Sequence, residues 1–364
     1  MRIAFLTNGM TGYLDNEYRH LHKLGNELLV VAPRAPVFEA MADTAFEITP
    51  EDYARSLTWT TAPKPAELVA QVVDFTPDAV AMMSWNFTPA YRAVMKAVPR
   101  DVVRILIMDN LWRSTPKQWL GRLTHRWYVQ PVADVAMVPS QLTEWYARRL
   151  GFSASDIIRG SLSADVDLFA SPPRTGAELA GHRAFLSAGR LVWHKGADVL
   201  AAAYARYREL VTDPWDLHVV GTGPYEEQLR VIPGVVMHGF VQPPQVAELM
   251  RRVSCFVLPS HVEPYGVVVH EAAVAGLPVL CTDFAGATAG LMQDSYNGWV
   301  VAAGDVGQWA DAMARMSALP PERLTSMSDA SRLIGARISP SGWAQNVHEQ
   351  IARRRAANLQ RGGR

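Results

Sequence analysis

Short apolar runs alternate with amphipathic stretches along almost the whole chain. RIAFLT (2–7), ELLVVAP (27–33), DAVAMM (78–83), VVRILIM (102–108) and DVAMVPS (134–140) read as strands. Residues 66–75, 88–97, 117–131 and 141–150 carry helical patterning between them. Strands apolar on both faces and separated by helices predict a parallel sheet covered on both sides. The alternation breaks near 160–182, where SADVDLFASPPRTGAELAGH mixes Pro, Gly, Ser and charge as a linker does. It then restarts with AFLSAGR (184–190), WDLHVVG (215–221), GVVMHGF (234–240), SCFVLPS (254–260), LPVLCT (277–282) and GWVV (298–301).

The pattern therefore predicts an α/β protein of two doubly wound domains, and 364 residues is too long for one ordinary core. The expected division is 1–168 and 169–338, with 339–364 as a terminal helix and a basic tail. The tail itself, RRRAANLQRGGR, reads as disordered. Ligands of such sheets bind beyond the carboxyl ends of the strands, so the loops there are where chemistry is sought.

Composition narrows the class. Lys+Arg and Asp+Glu balance at 35 each, which argues against a general nucleic-acid binder. The two cysteines, Cys255 and Cys281, lie in apolar runs and read as buried thiols, in keeping with a reducing cytoplasm. The apolar run after Arg2 is too short for a signal peptide, and no run approaches the ~18 residues of a membrane span. Attachment to a membrane surface stays open.

The densest chemical signal is SHVEPYGVVVHEAAVAGLPVLCTD (260–283). Glu263 sits in a loop, Gly266 opens a helix, and Glu271 lies on that helix. The free N–H groups of Tyr265, Gly266 and Val267 at the helix start suit an anion such as a diphosphate. A carboxylate one turn further, Glu271, suits the two hydroxyls of a ribose. Both glutamates also fit a plain reading as solvated helix-end charges. Against it, Glu271 stands in an apolar run where an unpaired carboxylate is costly.

SAGRLVWHKGADVL (187–200) places Arg190 and Lys195 after a strand, two cations suited to phosphate, although a surface loop would also carry such charges. HVVGTGPYEEQLR (218–230) has a strand-to-helix turn at Gly221-Thr222-Gly223-Pro224. It lacks the third glycine of a dinucleotide fingerprint, and its glycines read equally as close packing.

GRLVWHKG, VVGTGP, the Glu263–Glu271 stretch with its PYG, and NGWVVAAGD (297–305) together resemble the C-terminal half of glycosyltransferase family 4. ADVAMVPSQLTEWYARRLGF (133–152), DVDLF (165–169) and SGWAQNVHEQI (341–351) extend the likeness more weakly. The resemblance implies the GT-B fold, two Rossmann-like domains facing across a cleft, with the acceptor on the N-terminal side. It implies a retaining hexosyltransferase that takes its sugar from a UDP- or GDP-linked donor, with no metal and no further cofactor. Arg190 and Lys195 would hold the diphosphate and Glu271 the ribose. Glu263 would lie near the sugar with the N–H groups of Tyr265, Gly266 and Val267, and Gly221 would line the donor site. Gly12, in NGMTGY (8–13), matches the family's glycine-rich loop near the phosphates, and Gly9 is a looser match. Where many members carry His-Asp after the strand at 102–108, this chain has Asp109-Asn110; Asp109 would take the catalytic position, unless it is only a cap or turn residue. Ser163 replaces a family glycine at the domain junction. Asp165-Val166-Asp167 resembles a metal-binding DxD but falls in the junction and reads as structural.

Other readings remain. A GT-B epimerase or phosphorylase, or a two-domain binding protein without catalysis, would use a similar fold. A nicotinamide oxidoreductase is disfavoured because NGMTGY does not spell the fingerprint. The resemblance implies a glycan or lipid-linked (glycolipid) acceptor. Trp112, Arg113, Trp119, Arg122, Arg126, Trp127, Arg148 and Arg149 could form an acceptor or membrane-facing surface, or be core tryptophans and solvated arginines.

Overall fold

A computed structural model describes residues 1–34, 48, 50–83 and 88–362. The chain divides into two compact units, Met1–Ser163 together with Pro340–Arg364, and Ala164–Ser339.

Among the described residues the first unit holds a seven-stranded sheet, β3-β2-β1-β4-β5-β6-β7. Its strands are β1 Arg2–Leu6, β2 Glu27–Pro33, β3 Arg55–Trp59, β4 Ala79–Met83, β5 Val103–Ile107, β6 Val135–Val138 and β7 Ile157–Arg159. All pairings are parallel. The inner strands are the apolar runs of the sequence, and their residues are buried from both sides. The edge strands β3 and β7 were not anticipated: one is short and polar-interleaved, the other only three residues long.

The helix Gly12–Lys23 follows β1 and buries Leu14, Glu17, Tyr18 and Leu21. Glu17 is a fully covered carboxylate. It accepts from the Ser163 backbone N–H at 2.7 Å and from Ser163 Oγ at 2.9 Å. Burial nevertheless pushes its carboxyl up to about 8. The serine at the junction is therefore fastened to the first helix by its side chain.

The helix Pro340–Gly362 joins the first unit and packs on Gly12–Lys23. Residues 353–362, read from sequence as a disordered tail, are its last turns. Arg354 bonds Asp156 at 3.1 Å and the Ser155 carbonyl, and Arg355 meets Asp78 at 2.6 Å. These arginines are anchors, which composition alone does not reveal.

The second unit holds a six-stranded sheet, β10-β9-β8-β11-β12-β13. Its strands are β8 Ala184–Ala188, β9 Asp216–Val220, β10 Val235–Gly239, β11 Cys255–Leu258, β12 Val279–Thr282 and β13 Gly298–Val301, all parallel. Each coincides with an apolar run in the sequence. The order runs outward from β8 through β9 to β10, then returns to β8's other side with β11. A topological switch point thus lies between β8 and β11, where the loops after the two strands diverge. Cys255 and Cys281 are buried free thiols.

The boundary between the units falls at Ser163/Ala164, five residues before the expected 168/169 division. The reason is the short helix Val166–Phe169, capped by Asp165 Oδ1 accepting from the Leu168 N–H at 3.1 Å. Arg251 bonds the Leu168 carbonyl, so this helix belongs to the second unit. Asp165 has a capping role.

Candidate functional site

The candidate site is built on the loops that leave β8, β9, β11 and β12 at their carboxyl ends. The loop after β8 forms a 3-10 turn, Trp193–Lys195, and closes at Gly196 with φ +69°. A Cβ on Gly196 would stand 2.0 Å from the Pro259 carbonyl oxygen, so only glycine lets this loop touch the one after β11. The two loops also bond directly, Val262 N–H to the His194 carbonyl at 3.1 Å.

That contact brings two of the predicted side chains together. Lys195 Nζ donates to Glu263 Oε2 at 2.6 Å, with Glu263 buried and Lys195 partly covered. Glu263 is fixed from behind: its N–H donates to the Phe284 carbonyl, and its carbonyl accepts from Gly286. Gly286 is needed there, because a Cβ would meet the Pro264 carbonyl at 2.2 Å.

Gly266 follows in the left-handed region, φ +90°, and caps the helix Val267–Val274. The position a Gly266 Cβ would take lies 3.0 Å from Glu263 Cγ, which places the helix start against the Lys195–Glu263 pair. The N–H groups of Gly266 and Val267 have no carbonyl partner among the described residues. Such first-turn donors and the helix dipole favour an anion.

Arg190 stands on the other side of the same turn. Its Nη2 lies 3.3 Å from His194 Nε2. Burial, then the neighbouring Lys195 and Arg190 cations, holds His194 below its ordinary value. A neutral imidazole accepts from the guanidinium and orients it.

The Glu271 side chain makes no hydrogen bond or ion pair with the described residues, while its carbonyl accepts from the Ala275 N–H at 2.9 Å. Burial, and then repulsion by Asp165, pushes its carboxyl up to about 8. The preceding His270 is wholly structural: Nδ1 accepts from Ala164 N–H at 2.8 Å and Nε2 meets the Gly335 carbonyl at 2.9 Å. The helix VVVHEAAV is apolar apart from His270 and Glu271 and buries Val269, His270, Ala272, Ala273 and Val274, so a carboxylate on it without a side-chain partner is conspicuous.

Gly221 has a packing role. At φ +126°, its Cβ would lie 1.9 Å from the Gly189 carbonyl oxygen. With Gly189 N–H to Val220 O and Leu191 N–H to Thr222 O, it holds the Arg190 loop against the turn after β9.

Gly12 and Asp109 belong to the first unit. Gly12 is the first residue of its helix, after the N-cap Thr11. Asp109 follows β5; its Oδ1 accepts from Asn110 Nδ2 at 3.2 Å and its carbonyl accepts from Thr143 Oγ1 at 3.4 Å. It caps no helix. Of the aromatic and basic residues singled out, Trp112 packs against Trp119 and Tyr146 beside the core, whereas Trp119 and Trp127 are exposed.

The fold is GT-B. The structure superposes on the Anabaena protein HepE, solved in complex with UDP and glucose, with a TM-score of 0.72 at 18% identity, covering 97% of this chain and 99% of that one. It superposes on sucrose-phosphate synthase from Thermosynechococcus elongatus with a TM-score of 0.75 at 18% identity, covering 98% and 100%. Residues 182–318 match the family described as Glycosyl transferases group 1. The chain is 33% identical over 231 residues to a glycogen synthase of Mycobacterium tuberculosis, covering 58% of this chain and 53% of that one. It is 32% identical over 188 residues to that organism's GDP-mannose-dependent alpha-(1-6)-phosphatidylinositol monomannoside mannosyltransferase, covering 46% and 48%. The chain thus spans about half the length of these relatives, and it is similar to glycosyltransferase family 4. Among the described residues no helix is long and apolar enough to cross a membrane.

Proposed function

We propose that the chain transfers a sugar from a UDP- or GDP-linked donor to a glycan or glycolipid acceptor, with retention of anomeric configuration and without a metal. The observation that carries this reading is the Lys195–Glu263 pair seated against the helix start at Gly266, with Arg190 on the same turn. Two cations and first-turn N–H groups suit a diphosphate. Glu271, whose carboxyl has no hydrogen-bond partner among the described residues, suits the hydroxyls of the nucleotide ribose. The UDP-glucose bound by HepE in another of its complexes and the GDP-mannose named for the mycobacterial enzyme are both donors of this chemical class.

In this mechanism the acceptor oxygen bonds to the anomeric carbon on the face from which the diphosphate oxygen departs. The acceptor proton passes to that oxygen as the carbon–oxygen bond breaks. The barrier falls because Arg190, Lys195 and the helix N-terminus meet negative charge as it grows on the diphosphate. Glu263 positions Lys195 and lies beside the transferred sugar. Asp109 and Gly12 are assigned to the acceptor side and the phosphate loop. Cation stabilisation also makes a divalent ion unnecessary.

The test is a panel of radiolabelled UDP- and GDP-sugars incubated with membrane and glycan extracts. Transfer of label from one donor supports the reading. Binding of a free small solute with neither hydrolysis nor transfer of any donor would favour a non-catalytic binding protein.

A further inference from the structure

The helix Pro116–Tyr128 is anchored by a capping box, Thr115 with Gln118, yet of its thirteen residues only Gly121 is buried. Its sequence, PKQWLGRLTHRWY, is not that of a solvated helix. Trp119, Leu120, Leu123 and Trp127 are 44%, 60%, 72% and 76% exposed. At about 100° per residue these four fall within one arc of about 100°. Arg122 and Arg126 flank that arc on one side and Lys117 on the other, and the helix contains no acidic residue. The patch continues sideways: Trp119 touches Trp112, and Arg149 lies over both Trp112 and the half-exposed Trp145, 3.3 Å from the latter ring.

An apolar stripe turned away from the core indicates a partner. Its chemistry selects the partner. Cations on both flanks without a single carboxylate complement a surface of dense negative charge. Tryptophans bordering leucines suit a boundary between headgroups and acyl chains.

We propose that this face docks the protein on an anionic lipid surface. Leu120, Leu123 and Trp127 enter the headgroup–acyl boundary while Lys117, Arg122 and Arg126 meet headgroup phosphates. The inference stands on the first unit alone and does not depend on the transferase reading.

The experiment is co-sedimentation of the full chain with vesicles of phosphatidylcholine, with and without phosphatidylglycerol. Binding to the anionic vesicles that weakens with salt is expected. Leu123→Glu with Trp127→Glu is expected to lower partitioning by about tenfold or more. Arg122→Gln or Arg126→Gln is expected to lower it by about fivefold each. All four side chains are exposed, so melting and nucleotide binding serve as unchanged controls. Wild-type protein that ignores anionic vesicles, or variants that bind as well as wild type, would overturn the proposal. So would a wild-type dimer by light scattering that Leu123→Glu makes monomeric, which would assign the patch to a second copy.

Discussion

Lys195 and Glu263, 68 positions apart in sequence, meet at 2.6 Å where the loops after β8 and β11 diverge. This pair is the centre of the candidate site, since it joins the cation-bearing turn to the helix start at Gly266. Lys195→Ala should lower turnover by about a hundredfold or more, the cost of removing one donor to developing charge. The melting temperature should fall as well, because Glu263 is buried and loses its cation partner, so turnover is compared on the folded fraction. Steady-state kinetics at saturating donor checks this, and unchanged turnover in a folded variant counts against the role.

Gly196→Ala should damage both stability and activity. Its Cβ would press on the Pro259 carbonyl from a left-handed backbone position, separating the two loops. A cost of about 2 kcal/mol or more is expected. Thermal melting should fall, and donor binding should fall with it.

The raised carboxyl of Glu271 gives a pH signature. A group whose value rises from 4.5 unfolded to about 8 folded adds stability below about 4.5, and this is lost progressively as pH climbs toward 8. Glu271→Gln removes that loss. The variant should melt higher than wild type at pH 8 and similarly at pH 4, while binding the donor more weakly. Glu17→Gln should show the same pH trend, since its carboxyl is pushed up as far. Melting curves across pH would decide, and identical slopes for variant and wild type would contradict the assignment.

Retention and metal independence make a chemical prediction. The anomeric configuration of donor and product should match by proton NMR of the first-formed glycoside. EDTA should leave the initial rate unchanged. An inverted product or a chelator-sensitive rate would refute the corresponding part of the mechanism.

The sequence revealed the interior of both sheets more readily than their edges. Apolar runs such as ELLVVAP mark strands covered on both faces. At the edge, RSLTW is diluted by polar residues and IIR is too short to stand out. The residues that the structure brings together in the second unit, Lys195, Glu263 and Gly266, stand out in the sequence because glycine, proline and charge punctuate strand ends there. What no periodicity could show is pairing across distance. Glu17 in DNEYRH looks solvated until Ser163 is seen bonded to it. Leu120 and Leu123 look like core positions until the helix is seen to bury only a glycine. At Gly221 the turn also packs one loop on another, a contact that its sequence alone does not show.

Titration calorimetry of UDP and GDP against wild type, Arg190→Ala and Lys195→Ala tests the central claim most directly. The account predicts that one nucleoside diphosphate binds wild type, that its nucleoside alone binds far more weakly, and that each variant loses about tenfold or more in affinity. Equal affinity of wild type and both variants for that diphosphate would contradict it.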